Sequence, residues 1–238
     1  MSFAKEGPPE AAARFAAEAQ GLEALRRAGI RAPRPLAHGV RAGRAFIEME
    51  RLQLGARADW PALAGMLATL HGRSAPRFGW EEDNWIGLAP QHNGWAEDWA
   101  SFYVKKRIAP QASRARENGF VLEIPDLAPL LRHKPAPSLL HGDLWSGNAG
   151  FTPGGPVLFD PAVYFGDREA DLAMTELFGG FPPAFYAAYR KALPLPEGYE
   201  LRKHAYNLYH LLNHLNLFGA GYLGQVQATL RLLRDALK

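Results

Sequence analysis

The segment Leu139-Leu140-His141-Gly142-Asp143-Leu144-Trp145-Ser146-Gly147-Asn148 constrains the fold of this 238-residue chain more than any other. It has little helical or strand periodicity, yet it packs polar side chains densely next to an apolar run. Asp143 and Asn148, five positions apart, sit on one loop and face one volume. Twelve residues after Asn148 the short apolar strand Val157-Leu158-Phe159 ends at Asp160. The fold therefore has to supply a polar loop with a strand end beside it.

The flanking pattern has two parts. Ser2 to Lys5 reads as the end of a strand. Pro8-Pro9-Glu10 opens a helix through Arg27, with Phe15, Ala19, Leu22 and Leu25 at three- and four-residue steps and Gly29 at its C-cap. Pro33-Arg34-Pro35 forces extended backbone. Strands follow at Leu36–Val40 and Arg44–Met49, joined by a turn at Arg41-Ala42-Gly43. From Pro61 the pattern is mainly helical. One apolar stripe (Leu63, Met66, Leu67, Leu70) ends at His71-Gly72, and another runs from Trp95 to Arg107. Gly72 to Gly94, rich in Gly, Pro and Asn, reads as a long ordered loop. Helices are expected at Glu169–Phe178, Pro183–Lys191, Leu201–Phe218 and Gly224–Leu237. The reading is an α+β protein, with a small N-terminal piece over residues 1–51 and a mostly helical piece over 52–238.

Composition narrows the function. Hydrophobic residues at 47% and charged residues at 21% exclude a disordered or fibrous chain. A net charge of +3 without a dense basic run argues against nucleic acid as the main partner. The absence of cysteine excludes disulfides, thiolate metal sites and cysteine nucleophiles. No apolar run reaches the roughly 18 residues needed to span a bilayer, and Met1 to Glu10 is polar rather than signal-like. A cytoplasmic protein without a membrane partner is expected.

The polar segment has the residue types that phosphoryl transfer from a nucleotide requires: a carboxylate beside the attacking hydroxyl and further oxygen ligands holding Mg²⁺ against the phosphates. Asp143 is the candidate base, and Asn148 and Asp160 are the candidate metal ligands. The spacing matches the general kinase pattern of His-x-Asp, four residues, Asn, then a strand-end Asp. Lys5, at the end of a strand-like segment, and Glu18, on the next helix, are candidates for the pair that contacts the nucleotide phosphates. The bland alternatives are a His-Gly-Asp turn, a surface lysine and a solvated glutamate. A metal hydrolase built on His141, Asp143 and Asp160 is a weak further reading, because no other histidine has ligand-like spacing.

Longer blocks extend the match. His141-Gly-Asp-Leu-Trp-Ser-Gly-Asn148, Phe159-Asp-Pro-Ala-Val-Tyr-Phe-Gly166, the helix from Glu169 to Phe181, Gln91 to Trp99 and His210 to Gly219 resemble blocks of the fructosamine (ketosamine) kinases. That family lies within the aminoglycoside-phosphotransferase-like branch of the protein-kinase-like fold. The resemblance implies a two-lobe fold and ATP- and Mg²⁺-dependent phosphorylation of the 3-hydroxyl of a ketosamine, such as a fructosyl- or ribulosyl-lysine adduct. The acceptor would be a small glycated amine or a glycated protein lysine, and the outcome deglycation. Residue by residue, it implies Asp143 as base, Asn148 and Asp160 as Mg²⁺ ligands, and Lys5 with Glu18 on the phosphates. It also implies a hinge over Met49, Glu50, Arg51 and Leu52, with backbone groups of Glu50 and Leu52 pairing with adenine. Trp145 is either an apolar platform for the sugar-amine or a buried loop anchor. Asp171 is expected to brace the catalytic loop, His141 to fix it, and His210 and His214 to be core histidines. The family's phosphate lysine follows a Gly-rich hairpin, whereas here it is residue 5. A truncated small lobe, or a start further upstream, is therefore expected, with an exposed sheet edge that a homodimer would cover. Two alternatives stay open: a lid-less pseudokinase that binds without turnover, and a kinase for another amino alcohol or an aminoglycoside.

Overall fold

The computed structural model describes residues 2–238. Its small sheet is formed by β1 (Ser2–Gly7), β2 (Pro35–Arg41) and β3 (Arg44–Glu50), all antiparallel in the order β1-β3-β2. Along β3, Ala45, Ile47 and Met49 are buried while the residues between them are not, the two-residue period of a sheet with one covered face. That face is covered by α1 (Ala12–Arg27), which buries Phe15, Ala19, Leu22 and Leu25, the four positions of its sequence stripe. The expected strand end at residues 2–5 is a complete six-residue strand whose Lys5 lies opposite Ile47.

α2 (Trp60–His71) begins at Asp59, whose carboxylate accepts the Ala62 N–H at 2.9 Å. The stretch expected to be a loop, residues 72–94, contains a small hairpin of β4 (Asn84–Ile86) and β5 (Ala89–Gln91). Runs of three residues are too short for periodicity to reveal them. The next helix starts later than its aromatic stripe suggested, because Asp98 caps it by accepting the Ser101 N–H at 2.7 Å. α3 (Trp99–Tyr103) passes through a single π turn at Val104–Ile108 and continues past Arg107 as α4 (Ala109–Glu117). The Arg107 side chain is fully buried, 4.0 Å over the Tyr164 ring, and donates to Asn93 Oδ1 at 2.9 Å.

Four short strands then position the polar loop. β6 (Ser138–Leu140) pairs with β9 (Tyr164–Gly166), and β7 (Ala149–Thr152) pairs with β8 (Gly155–Leu158). Residues 141–148 connect β6 to β7, and residues 159–163 connect β8 to β9. Two antiparallel ladders therefore clamp both connections side by side. Backbone bonds join them directly, from Ala162 N–H to His141 O at 2.8 Å and from Phe159 N–H to Asn148 O at 3.1 Å. The strand expected over 157–159 ends at Leu158, so Phe159 and Asp160 lie outside the ladder.

α5 (Glu169–Leu177), α6 (Pro183–Ala192), α7 (Tyr199–Phe218) and α8 (Leu223–Ala236) follow within about two residues of their expected bounds. His210 lies in the α7 core, and burial pushes its pKa down to about 3, which keeps the ring neutral. Arg202 of α7 grips Glu169 of α5 with two bonds of 2.7 Å, both groups out of water. Removing one partner strands the other as a buried charge. Arg202→Ala is therefore expected to cost about 3–5 kcal/mol in denaturant unfolding, and the paired change Arg202→Met with Glu169→Leu is expected to recover most of that loss.

Candidate active site

Residues 141–148 owe their shape to one carboxylate. Asp171, in the first turn of α5, is buried, and its two oxygens accept the N–H groups of His141 at 2.7 Å and Gly142 at 2.9 Å. His71, at the end of α2, approaches the same carboxylate at 3.1 Å and is itself bonded to Tyr189 at 2.7 Å. Burial alone would raise the Asp171 pKa, but His71, His141 and the Gly142 N–H hold it below the usual carboxylate value. The His141 ring meets the Phe159 carbonyl at 3.1 Å, tying this loop to the next one. Gly142 has φ +83°, and a Cβ there would lie 2.0 Å from the Ala162 oxygen, so only glycine fits.

Asp143 follows. Asn148 turns back across the loop and donates from Nδ2 to the Asp143 carbonyl at 2.8 Å and to its carboxylate at 3.2 Å. Burial pushes the Asp143 pKa up to about 7; the bond from Asn148 opposes the rise, and the charges of Asp160 and Asp171 add to it. A carboxylate tuned in this way suits a general base working near neutral pH.

Lys5 links the small sheet to this loop. Its ammonium bonds Glu18 of α1 at 2.8 Å and also contacts the Asp160 carboxylate. Burial works against the Lys5 charge, but Glu18 and Asp160 outweigh it and hold its pKa above the ordinary lysine value. Asp160 adopts a left-handed backbone, φ +57°, which is rare for a residue with a side chain and turns the chain sharply after β8. Above it α1 crosses closely, since a Cβ on Gly21 would sit 3.0 Å from the Pro161 ring.

Two cavities meet at Lys5 and Asp160. One, of about 370 Å³, runs along the edge of the small sheet and is lined by Phe3, Met49, Glu50, Leu52, Leu54 and Phe159. The other, of about 400 Å³, opens on the far side over Asp143, Asn148 and Trp145, with Arg14, Trp85 and Leu88 on its outer wall. The residues expected to act as base, metal ligands, phosphate pair, hinge and acceptor platform thus all line one or both cavities. The hinge needs one refinement. The Glu50 N–H already donates to the Arg34 carbonyl at 2.8 Å, which leaves the Glu50 carbonyl as its backbone group for pairing with a base. Trp145 is 39% exposed and lies over Gly147, so it is not a buried anchor.

The donor set fits a hard divalent cation. Asn148 Oδ1 accepts no hydrogen bond among the described residues, and the Asp160 side chain is 43% exposed with only one oxygen turned to Lys5. A second cluster, His133, Asp167 and Glu169, brings ligand-type atoms within 4.8 Å of one another. Those groups are committed elsewhere: Asp167 to His133 at 2.7 Å and to Tyr206, and Glu169 to Arg202.

Sequence reasoning missed the outer wall of the second cavity. Arg14 lies one helical turn before Glu18, so it shares that face of α1, and this phase was legible. Trp85 and Leu88 sit on a hairpin whose three-residue strands carry no periodicity, so the sequence offers no face to assign them to. For His71 the sequence shows only the end of an apolar stripe.

The chain is similar to known proteins over nearly its whole length. The fructosamine kinase family model matches residues 1–236. A "probable ketoamine kinase" of Synechocystis is 48% identical over 229 residues, covering 91% of this chain and 77% of its own. The chloroplastic protein-ribulosamine 3-kinase of Arabidopsis thaliana is 42% identical over 236 residues, covering 92% and 72%. A crystal structure of a "putative fructosamine-3-kinase" from Haemophilus somnus superposes with a TM-score of 0.90 at 32% identity, covering 100% of this chain and 84% of that one. The fold is protein-kinase-like, and with a family model matched from end to end the chain belongs to the fructosamine kinases.

Proposed function

We propose that this protein transfers the γ-phosphoryl group of ATP to the 3-hydroxyl of a ketosamine, the adduct of a sugar with an amine. The observation that carries the reading is the pair of cavities sharing Lys5 and Asp160, with the Asp143 carboxylate facing the second one. A nucleotide in the first cavity meets apolar side chains at its base and Lys5 at its phosphates. An acceptor in the second meets Asp143.

In this reading the residues divide the work. Met49, Leu52 and Phe3 cover the faces of the adenine ring, and backbone groups of Glu50 and Leu52 pair with its edge. Lys5, oriented by Glu18, compensates phosphate charge. Asn148 and Asp160 hold Mg²⁺, which when bound neutralises charge on the transferring phosphoryl group. Asp143 accepts the proton of the attacking hydroxyl, so that the O–P bond forms as the bond to the leaving diphosphate breaks. Trp145 offers its ring face to the sugar-amine, leaving the polar edge of the acceptor toward Asp143. Phosphorylation at the 3-hydroxyl destabilises the adduct and frees the amine, which makes the activity a deglycation. No helix among the described residues is long and apolar enough to cross a membrane.

Removal of the base is the first test. Asp143→Asn is expected to lower kcat for a ribulosyl- or fructosyl-amine by roughly 10²–10⁴-fold while leaving ATP binding, followed by calorimetry, within a few-fold of wild type. A variant that turns over at a near-normal rate would remove Asp143 from the role.

The second test is pH. Asp143 must be ionised to accept a proton, so kcat/KM should rise with pH and level off above about 7. Stability should follow the opposite sense. The folded-state pKa is raised above the ordinary carboxylate value, so the native state binds this proton more tightly than the unfolded chain and loses that contribution as pH rises through about 7. Asp143→Asn should therefore melt at a higher temperature than wild type at pH 8 and at nearly the same temperature near pH 4. Equal shifts at both pH values would refute the raised pKa.

A further inference from the structure

The acceptor cavity holds one cation that the proposed chemistry does not use. Arg14 reaches the cavity from α1 and is absent from the lining of the nucleotide cavity. The other charged groups lining the acceptor side have partners inside the protein. Lys5 is held by Glu18 and Asp160, Glu6 is bonded to Arg44 at 3.0 Å, and Asp143 is bonded to Asn148. Among the described residues Arg14 has no carboxylate within 4.0 Å; the residue is half-buried and its guanidinium stands 5.3 Å from the centre of the Phe15 ring. A guanidinium fork in a partly enclosed site, carried on a helix and steadied by an aromatic face, is matched to a planar two-oxygen anion.

Shape adds a second argument. The cavity measures about 400 Å³, and Arg14 with Trp85 and Leu88 of the β4–β5 hairpin share its lining with Asp143. That size is at the small end of pockets that enclose whole small molecules. A sugar hydroxyl at Asp143 with its ring over Trp145 leaves the amine, and whatever the amine carries, to the rest of the lining, which includes Arg14.

Building on the ketosamine reading, we propose that Arg14 binds a carboxylate on the amine half of the acceptor. The favoured substrates are then ketosamines of free amino acids, whose carboxylate lies one carbon from the sugar-bearing nitrogen. A glycated lysine within a polypeptide presents only neutral amides and gains nothing from Arg14. The amide wall of a peptide would also have to enter between the hairpin and α1.

Two acceptors differing at a single group provide the test: Nα-ribulosyl-valine and its C-terminal amide, assayed with Mg-ATP on the full chain. The wild-type protein should prefer the acid by about ten- to a hundredfold in kcat/KM, mostly through KM, the size expected of a hydrogen-bonded charge pair. In Arg14→Gln the acid-to-amide ratio should fall to near one, and in Arg14→Lys it should keep an intermediate value. Because the ratio is read within each variant, the fraction of active protein cancels. Equal use of acid and amide by wild type, or a preference that survives in Arg14→Gln, overturns the carboxylate site while leaving the kinase reading intact. A rise in KM for ATP with the ratio unchanged also overturns it, by assigning Arg14 to the nucleotide. Absence of transfer to either compound defeats the ketosamine reading itself, and the inference with it.

Discussion

The site depends on a buried carboxylate that does no chemistry. Asp171 takes two consecutive backbone N–H groups from residues 141 and 142 and sets them against His71. Neither N–H could find a helix or ladder partner, because the chain is turning through the left-handed Gly142 at that point. In a water-free interior an unpaired N–H costs about 1–3 kcal/mol, so the loop has one low-energy course, the one that Asp171 accepts. That course sends Asp143 into the cleft. α2, α5 and α6 all contribute, through His71, Asp171 and Tyr189, which is why a short polar loop can stand on the interior of a helical layer.

Burial raises both Glu18 and Asp143, but Glu18 has the Lys5 ammonium against it whereas Asp143 has no cation beside it. Lys5 lies between Glu18 and Asp160, and Asp171 is neutralised by hydrogen bonds and histidine neighbours. Asp143 has only the Asn148 amide, a weak counterweight to desolvation and to two nearby carboxylates. The same asymmetry that weakens its ionised form makes it a stronger proton acceptor. A carboxylate at its ordinary pKa would take a hydroxyl proton far less readily.

Much of this was legible in the sequence because it was local. The spacing from Asp143 to Asn148, the apolar run before Asp160 (though its strand stops at Leu158), and the helical phase of Phe15, Ala19, Leu22 and Leu25 are short-range patterns, each within a single loop, strand or helix. What escaped the sequence is tertiary. β4 and β5 exist because they pair with each other, not because three residues prefer to be extended. The π turn at Val104–Ile108 arises where Arg107 is drawn inward by Asn93 and by the ring of Tyr164. The pairing of β6 with β9, residues far apart in the chain, leaves no trace in either strand alone. It nevertheless holds residues 141 and 162 together, while the local β7–β8 hairpin sets Asp160 beside Asn148.

The overlooked hairpin explains how the two walls of the acceptor cavity keep their spacing. Asn84 donates to the Val163 carbonyl at 2.8 Å, and Gln91 donates to the Ala162 carbonyl at 2.9 Å while accepting from Tyr209 at 2.9 Å. Asn93 and Arg107 complete a buried network around the same amides. Apolar packing would let such a small hairpin slide, since dispersion contacts have little directional preference. Hydrogen bonds to two consecutive carbonyls fix its register against the segment that follows Asp160. Trp85, in the middle of β4, is thereby placed relative to Asp160 rather than to the loop that carries it. The acceptor wall and the metal-side carboxylate are thus referenced to one stretch of backbone, residues 160–163. An acceptor held against the hairpin is held in register with the group that positions the phosphate.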